Sequence, residues 1–209
     1  MKITIFGSSL VYYLSQFDKT WKHTLKGGQE IELTYYGYSG WSFHDFLSKG
    51  GLEELDDISA ESPDIVLAIL GANSIKLNVD PGVIMYEASK FYRTLNEKFL
   101  SVNPKGIIIA SQLPLRFVRN PKKNKHKTPD PKLFKRIRDK VNTKIVSLKT
   151  KHHTLALGGP GRLDDEGWFS DGVHFNSEGM DKQLDIILEK IDKIVNPPLM
   201  VPKSFRVNK

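Results

Sequence analysis

The stretch Asp64-Ile65-Val66-Leu67-Ala68-Ile69-Leu70-Gly71-Ala72-Asn73-Ser74 decides the fold of this 209-residue chain. Its six central residues, 65–70, are all apolar, which is typical of a strand buried on both faces of a parallel sheet. The run is far shorter than the roughly 18 apolar residues that a membrane span requires. Glycine and asparagine after it predict a turn. We therefore start from a buried central strand that ends in a polar loop.

Four further apolar runs predict strands, namely Ile3–Phe6, Ile31–Tyr36, Gly106–Leu113 and Thr154–Leu157. Between the strands, helical patterns occupy residues 10–25, 43–47, 52–57, 81–99, 133–148 and 180–195. Strands that alternate with helices predict an α/β fold in which helices cover both faces of a parallel sheet. The sequence thus predicts three layers.

The chain shows no internal repeat and no second composition regime, so we expect one domain over residues 1–195. Residues 116–131 form a long connection rich in proline and lysine, and loops of this length are usually functional or mobile. Such a loop could act as a lid over a pocket. Residues 196–209 carry three prolines and are predicted to form an extended tail.

Composition excludes several classes of protein. The chain has no cysteine, which excludes a disulfide scaffold, a cysteine nucleophile and thiolate metal sites. His23 and His44 fall on helical patterns, and no histidine has a metal-ligand spacing, so neither a metal nor a cofactor is expected. The amino terminus lacks a cleavage site of the signal-peptide type. We expect a cytoplasmic protein without a transmembrane segment, although the lack of cysteine is equally compatible with export.

Positive charge is concentrated in one part of the chain. Residues 116–153 contain fourteen Lys and Arg against two Asp, a net charge of +12, whereas the rest of the chain carries −5 and the whole +7. Such a segment could attract nucleic acid or another polyanion through Arg116–Lys151. A solvated face that only improves solubility remains the alternative.

Polar residues follow four of the predicted strands, and reactive groups in parallel sheets lie beyond the carboxyl ends of strands. The residues are Ser9, Gly40, Asn73, and the pair Asp171 and His174. Acyl transfer needs a serine, a base that activates it, a carboxylate that orients the base, and donors for the oxyanion. Each requirement has a candidate at the same end of the sheet.

These four blocks, in this order, resemble the SGNH hydrolases, also called GDSL-type esterases and lipases. The resemblance implies a flavodoxin-like sheet of about five parallel strands and a catalytic triad of Ser9, His174 and Asp171. It also implies an oxyanion hole formed by the N–H groups of Ser9 and Gly40 and the side-chain amide of Asn73. The activity implied is hydrolysis of a carboxylic ester, with a short acyl group as our leading expectation.

Two positions depart from the family pattern, because Ser8 and Ser74 stand where the family usually has aspartate. We expect both serines to support loop hydrogen bonds in place of the carboxylates. These departures keep open a catalytically weak binding domain on the same fold. A second alternative is an esterase module, of the type that accompanies mobile genetic elements, bound to nucleic acid or another polyanion.

Several site residues also have structural interpretations. Ser9 could cap the helix that follows it, and Asn73 could serve only its turn. Gly40 and Asp171 could be turn residues, and an isolated His174 could be structural. Three aromatic residues could line a substrate pocket or belong to the core, namely Trp41, Trp168 and Phe169.

Overall fold

A computed structural model describes residues 1–76, 78–116, 130–148, 152–157, 166–171 and 173–197. Most of the predicted basic loop 116–131 and of the tail 196–209 lies outside the described residues. Within the described part, no helix is long and apolar enough to cross a membrane.

The centre of the molecule is a six-stranded sheet in the order β2-β3-β1-β4-β5-β6. The strands are β1 (Lys2–Gly7), β2 (Lys22–Thr24), β3 (Glu30–Gly37), β4 (Ile65–Ile69), β5 (Ile107–Ser111) and β6 (His152–Leu155). All pairs are parallel except β2 with β3. The five predicted parallel strands are therefore confirmed, and β2 adds an antiparallel strand at one edge.

In the described part of the chain, six α-helices cover the sheet: α1 (Ser9–Phe17), α2 (Phe43–Leu47), α3 (Lys49–Ala60), α4 (Pro81–Val102), α5 (Pro131–Ser147) and α6 (Ser177–Val195). Helices α2 to α5 pack on one face and α1 and α6 on the other. Strand β4 serves both cores, since Val66 and Ala68 belong to the first and Ile65, Leu67 and Ile69 to the second. This two-sided burial explains why the strand is a continuous apolar run.

The helix predicted over residues 10–25 is too long. Helix α1 ends at Phe17, and Trp21 has a left-handed backbone with a φ of +53° that no helix can continue. The residues that follow form β2, which pairs with the start of β3, so His23 lies on a strand rather than on a helix.

Buried Asp18 fixes this corner of the fold. Its carboxylate accepts hydrogen bonds from the Tyr35 hydroxyl at 2.5 Å, the His23 ring at 2.9 Å and the Thr20 hydroxyl at 2.9 Å. Burial acts to raise the pKa of Asp18, but the three hydrogen bonds outweigh it and hold the pKa below its usual value. An ionised carboxylate therefore ties β2 to β3 and to the end of α1.

Helix α1 lies unusually close to the sheet because Gly37 has no side chain. A Cβ atom at this position would stand 2.4 Å from the backbone N and Cα of Tyr12 in α1. Gly37 is the last residue of β3 and pairs in register with Gly7, the last residue of β1. The two strand ends therefore set the position of the amino-terminal half of α1.

Candidate active site

Ser9 is the first residue of α1 and is 7% exposed. Ser8 is the N-cap residue, with an extended backbone and no capping bond from its side chain, so Ser9 does not cap the helix. Helical first-turn N–H groups have no acceptor within their own helix, which leaves the Ser9 N–H available at the sheet end. Ser8 is 2% exposed and donates its N–H to the Ile69 carbonyl of β4.

Asp171 and His174 form a hydrogen-bonded pair. The His174 ring Nδ1 lies 2.8 Å from Asp171 Oδ2, while Asp171 Oδ1 accepts the N–H groups of Val173 and His174 at 2.8 and 2.7 Å. Partial burial acts to raise the pKa of Asp171, but these bonds outweigh it and hold the pKa below its usual value. The carboxylate thus orients the imidazole and leaves Nε2 as the free ring nitrogen.

Tyr13 connects this pair to the helix of Ser9. Its ring centroid lies 4.8 Å from that of the His174 imidazole, with the planes tilted by 59°. Ser9 and Tyr13 are four residues apart in α1 and therefore share a helix face. In this conformation the Ser9 hydroxyl makes no hydrogen bond within the described part of the chain, and active-site bonds often form only with substrate present.

Gly40 lies in a tight turn after β3. The Trp41 N–H donates to the Tyr38 carbonyl at 3.2 Å, and Gly40 has a φ of +83°, as at the third position of a type II turn. This φ requires glycine, while the Gly40 N–H is not used by the hydrogen bond of the turn. Gly40 can therefore form the turn and also offer its N–H to an oxyanion.

Asn73 lies in the short 3-10 helix Ala72–Ser74 that follows β4. Its side-chain Nδ2 donates to the Trp41 carbonyl at 3.1 Å, and its Oδ1 accepts from the guanidinium of Arg116. The side chain thus links the loops after three strands instead of bonding within its own turn. The loop after β3 and the loop after β4 are held together at this point.

Ser74, which stands where the family usually has aspartate, makes a structural hydrogen bond. Its buried hydroxyl accepts the N–H of Phe43, the first residue of α2, at 3.1 Å. An aspartate carboxylate could accept the same bond, so serine replaces it at this contact without burying a charge.

The three aromatic candidates differ in their surroundings. Trp41 is partly exposed and packs on Tyr38 and Phe46, with ring centroids 4.5 and 4.9 Å apart. Trp168 is also partly exposed, whereas Phe169 is 1% exposed and packs on Phe175 in the core. The core interpretation therefore holds for Phe169, and the pocket remains a prediction for the two tryptophans.

Two residues at this site were missed by the sequence analysis. Tyr13 could have been found from its spacing of four residues after Ser9 in a helix. Arg116 is the first residue of the predicted basic loop and was counted only as part of its charge. Arg116 bonds to Asn73, and the negative charge of Asp171 acts to raise the pKa of Arg116 against the effect of burial. Among the described residues, no three His, Asp or Glu side chains converge as metal ligands would.

Several proteins of known structure share the fold described above. The chain is similar to a GDSL-like lipase from Bacteroides thetaiotaomicron, with a TM-score of 0.63, 16% identity and coverage of 92% of this chain and 88% of that one. A carbohydrate esterase of family 3 from Talaromyces cellulolyticus has a TM-score of 0.60, 14% identity and coverage of 93% and 98%. An acetyl esterase mutant with an acetate ion has a TM-score of 0.58, 14% identity and coverage of 93% and 98%.

A search of curated proteins found no match to this sequence. The model of the GDSL-like lipase/acylhydrolase family, however, matches residues 5–182, most of the chain. This range includes every loop described above at the carboxyl ends of the strands. The chain therefore belongs to the GDSL-like lipase/acylhydrolase family and is a hydrolase of ester bonds.

Proposed function

We propose that this protein is a serine esterase that removes short acyl groups, such as acetyl, from carboxylic esters. Ser9 is the nucleophile, His174 the general base and acid, and Asp171 the carboxylate that orients the imidazole. The observation that carries this proposal is the hydrogen bond between His174 Nδ1 and Asp171 Oδ2, because it leaves Nε2 free. The contact of Tyr13 with the same ring, on the helix face of Ser9, supports it.

In the first half of the reaction, His174 Nε2 takes the Ser9 proton as Oγ bonds to the ester carbonyl carbon. The carbonyl oxygen becomes an oxyanion in the tetrahedral intermediate. Collapse of this intermediate breaks the bond to the alcohol oxygen, which leaves with the proton from His174, and an acyl-Ser9 ester remains. Water then repeats the sequence with His174 as base and releases the carboxylic acid.

Three donors follow three different strands, namely the N–H groups of Ser9 and Gly40 and the side-chain amide of Asn73. The hydrogen bond from Asn73 to the Trp41 carbonyl supports this grouping, since it holds the residue next to Gly40 beside the amide. Each well-aimed donor is worth about 3 kcal/mol of transition-state stabilisation.

The preference for short acyl groups draws on two observations. Trp41 stacks with Tyr38 and packs on Phe46, which places bulky rings beside the Asn73 contact. One of the proteins to which the fold is similar is named an acetyl esterase. An ester series from acetate to octanoate with one alcohol tests this point, and the highest kcat/KM is expected for acetate.

The triad is tested by the pair Ser9→Ala and Ser8→Ala. We expect Ser9→Ala to lose hydrolysis of an aryl acetate and labelling by a fluorophosphonate, while thermal unfolding stays similar to that of the unmodified protein. Ser8→Ala, an adjacent buried serine, should still label. Full activity of Ser9→Ala would disprove the assignment, and failure of the folded unmodified protein to label would favour a binding domain.

A second candidate function, contact with nucleic acid, has support from α5. Arg136, Lys140 and Lys144 follow one another at intervals of four residues, and they line a groove of about 660 Å³ whose lining also includes Met85 and one carboxylate, that of Asp139. Within the described residues, these three side chains form no ion pair. Duplex DNA should therefore bind at low salt, and replacing all three by glutamine should lower the logarithmic salt slope by about 3. Absence of binding at low salt would exclude this function.

A further inference from the structure

Arg116 places a positive charge beside the candidate oxyanion hole. The roles proposed for the triad do not account for this residue. It lies five residues after the end of β5, and its guanidinium donates from Nη2 to Asn73 Oδ1 at 2.5 Å. The guanidinium carbon lies 5.8 Å from the ring centroid of Phe134 in α5, within the range of a cation–π contact. The side chain is thus held between the loop after β4 and α5.

These contacts determine which way the Asn73 amide faces. A guanidinium only donates hydrogen bonds, so it must meet the amide oxygen, and the Trp41 carbonyl only accepts, so it must meet the amide nitrogen. A rotation of the amide by 180° would bring donor to donor and acceptor to acceptor. One of the two Nδ2 hydrogens bonds to Trp41, which leaves the other for a ligand.

The charge of Arg116 is not neutralised by a direct ion pair within the described part of the chain. Burial lowers the pKa of Arg116 to about 10, although the negative charge of Asp171 acts in the opposite direction. The guanidinium therefore stays protonated at neutral pH. A cation on Oδ1 draws electron density from the amide and strengthens its N–H groups as donors.

We propose that Arg116 is a positioning residue of the oxyanion hole: it fixes the Asn73 amide with its nitrogen toward the substrate and polarises that donor. The proposal rests on the role given to Asn73 in the proposed function. Its effect belongs to the transition state, because charge on the carbonyl oxygen develops there and not in the bound ester.

The orientation is tested without turnover by NMR of the Asn73 side-chain amide, whose two resonances are assigned by their loss in Asn73→Ala. Arg116→Met retains an apolar side chain for Phe134 but removes the charge and the donors. We expect the unmodified protein to show slow hydrogen exchange at this amide, and Arg116→Met to show faster exchange and shifted resonances. Unchanged resonances in Arg116→Met would overturn the proposal whether or not the protein hydrolyses esters.

The catalytic effect is tested with an aryl acetate. Arg116→Met should lower kcat about 10- to 100-fold, less than removal of a donor outright, with KM changed by less than about threefold. Arg116→Lys should recover part of kcat, and Arg93→Met, which removes an exposed arginine on α4, should behave as the unmodified protein. An unchanged kcat in Arg116→Met beside an inactive Ser9→Ala would overturn the role of Arg116 and leave the esterase assignment intact.

Discussion

Replacing Asp171 by asparagine tests how the structure controls the imidazole. Asp171 Oδ1 accepts two backbone N–H groups, from Val173 and His174, and an asparagine oxygen can keep both. The new NH₂ group then faces His174 Nδ1, where Oδ2 stood at 2.8 Å, and Nδ1 must become the acceptor. The imidazole proton moves to Nε2, the nitrogen that receives the Ser9 proton in the proposed mechanism.

This change of tautomer should reduce kcat/KM for an aryl acetate by about 10³- to 10⁴-fold, which corresponds to about 4–5.5 kcal/mol. Stability should change by less than about 1 kcal/mol, since the Asp171 side chain is 54% exposed and both backbone bonds are kept. Steady-state rates and thermal unfolding measure the two effects. Asp181→Asn, an exposed carboxylate of α6, is the matched control. A folded Asp171→Asn variant that stays within about fivefold of the unmodified rate would refute the reasoning.

Three further predictions concern the frame of the site. Gly37→Ala should lower activity and should lower stability by about 1–3 kcal/mol, because the new Cβ meets the α1 backbone at 2.4 Å. The control Gly50→Ala should not destabilise the protein, because no atom lies within 4 Å of the new Cβ. Ser74→Ala should cost about 1–3 kcal/mol in urea unfolding, since it leaves the Phe43 N–H buried without its acceptor. The stabilisation from ionised Asp18 should be present above about pH 4 and lost as pH falls through its lowered pKa, and Asp18→Asn should flatten this acid limb in unfolding measured against pH. Equal pH dependence of the two proteins would contradict the last prediction.

The layers of the fold could be predicted because buried parallel strands must be apolar on both faces. Strand β4 illustrates this, with alternate residues in two different cores. Strand β2 could not be predicted, because it has three residues, all polar, and lies at the edge of the sheet. It forms by pairing with β3 and is tied to Asp18 through His23, and no pattern within residues 22–24 indicates either contact.

At the candidate site, the sequence could predict a contact between residues that are close in the chain but not contacts between residues that are far apart. The Asp171–His174 bond spans three residues, and this short spacing together with the other blocks of the family pattern was enough to predict the pair. The bonds of Asn73 to Trp41 and Arg116 span 32 and 43 residues and depend on how the strand ends meet. The sequence showed that Arg116 is charged but not that it bonds to Asn73. Many basic residues follow Arg116 in the chain, and nothing in the sequence distinguishes it from them. Sequence thus predicts residue types at the strand ends better than the contacts between them.

The two departures from the family pattern and the presence of Arg116 bear on the same quantity, the free energy of negative charge at the substrate carbonyl oxygen. Ser8 and Ser74 stand where the family usually has carboxylates, and both serines are buried, so these two positions carry no buried negative charge. Arg116 adds a positive charge on the far side of the Asn73 amide. Asp171 is bonded to His174, and in the proposed mechanism its carboxylate balances the imidazolium that forms during the reaction. In the proposed mechanism, the absence of these two carboxylates and the charge of Arg116 both favour negative charge at the carbonyl oxygen, so the loss of the family carboxylates does not by itself imply a weak enzyme.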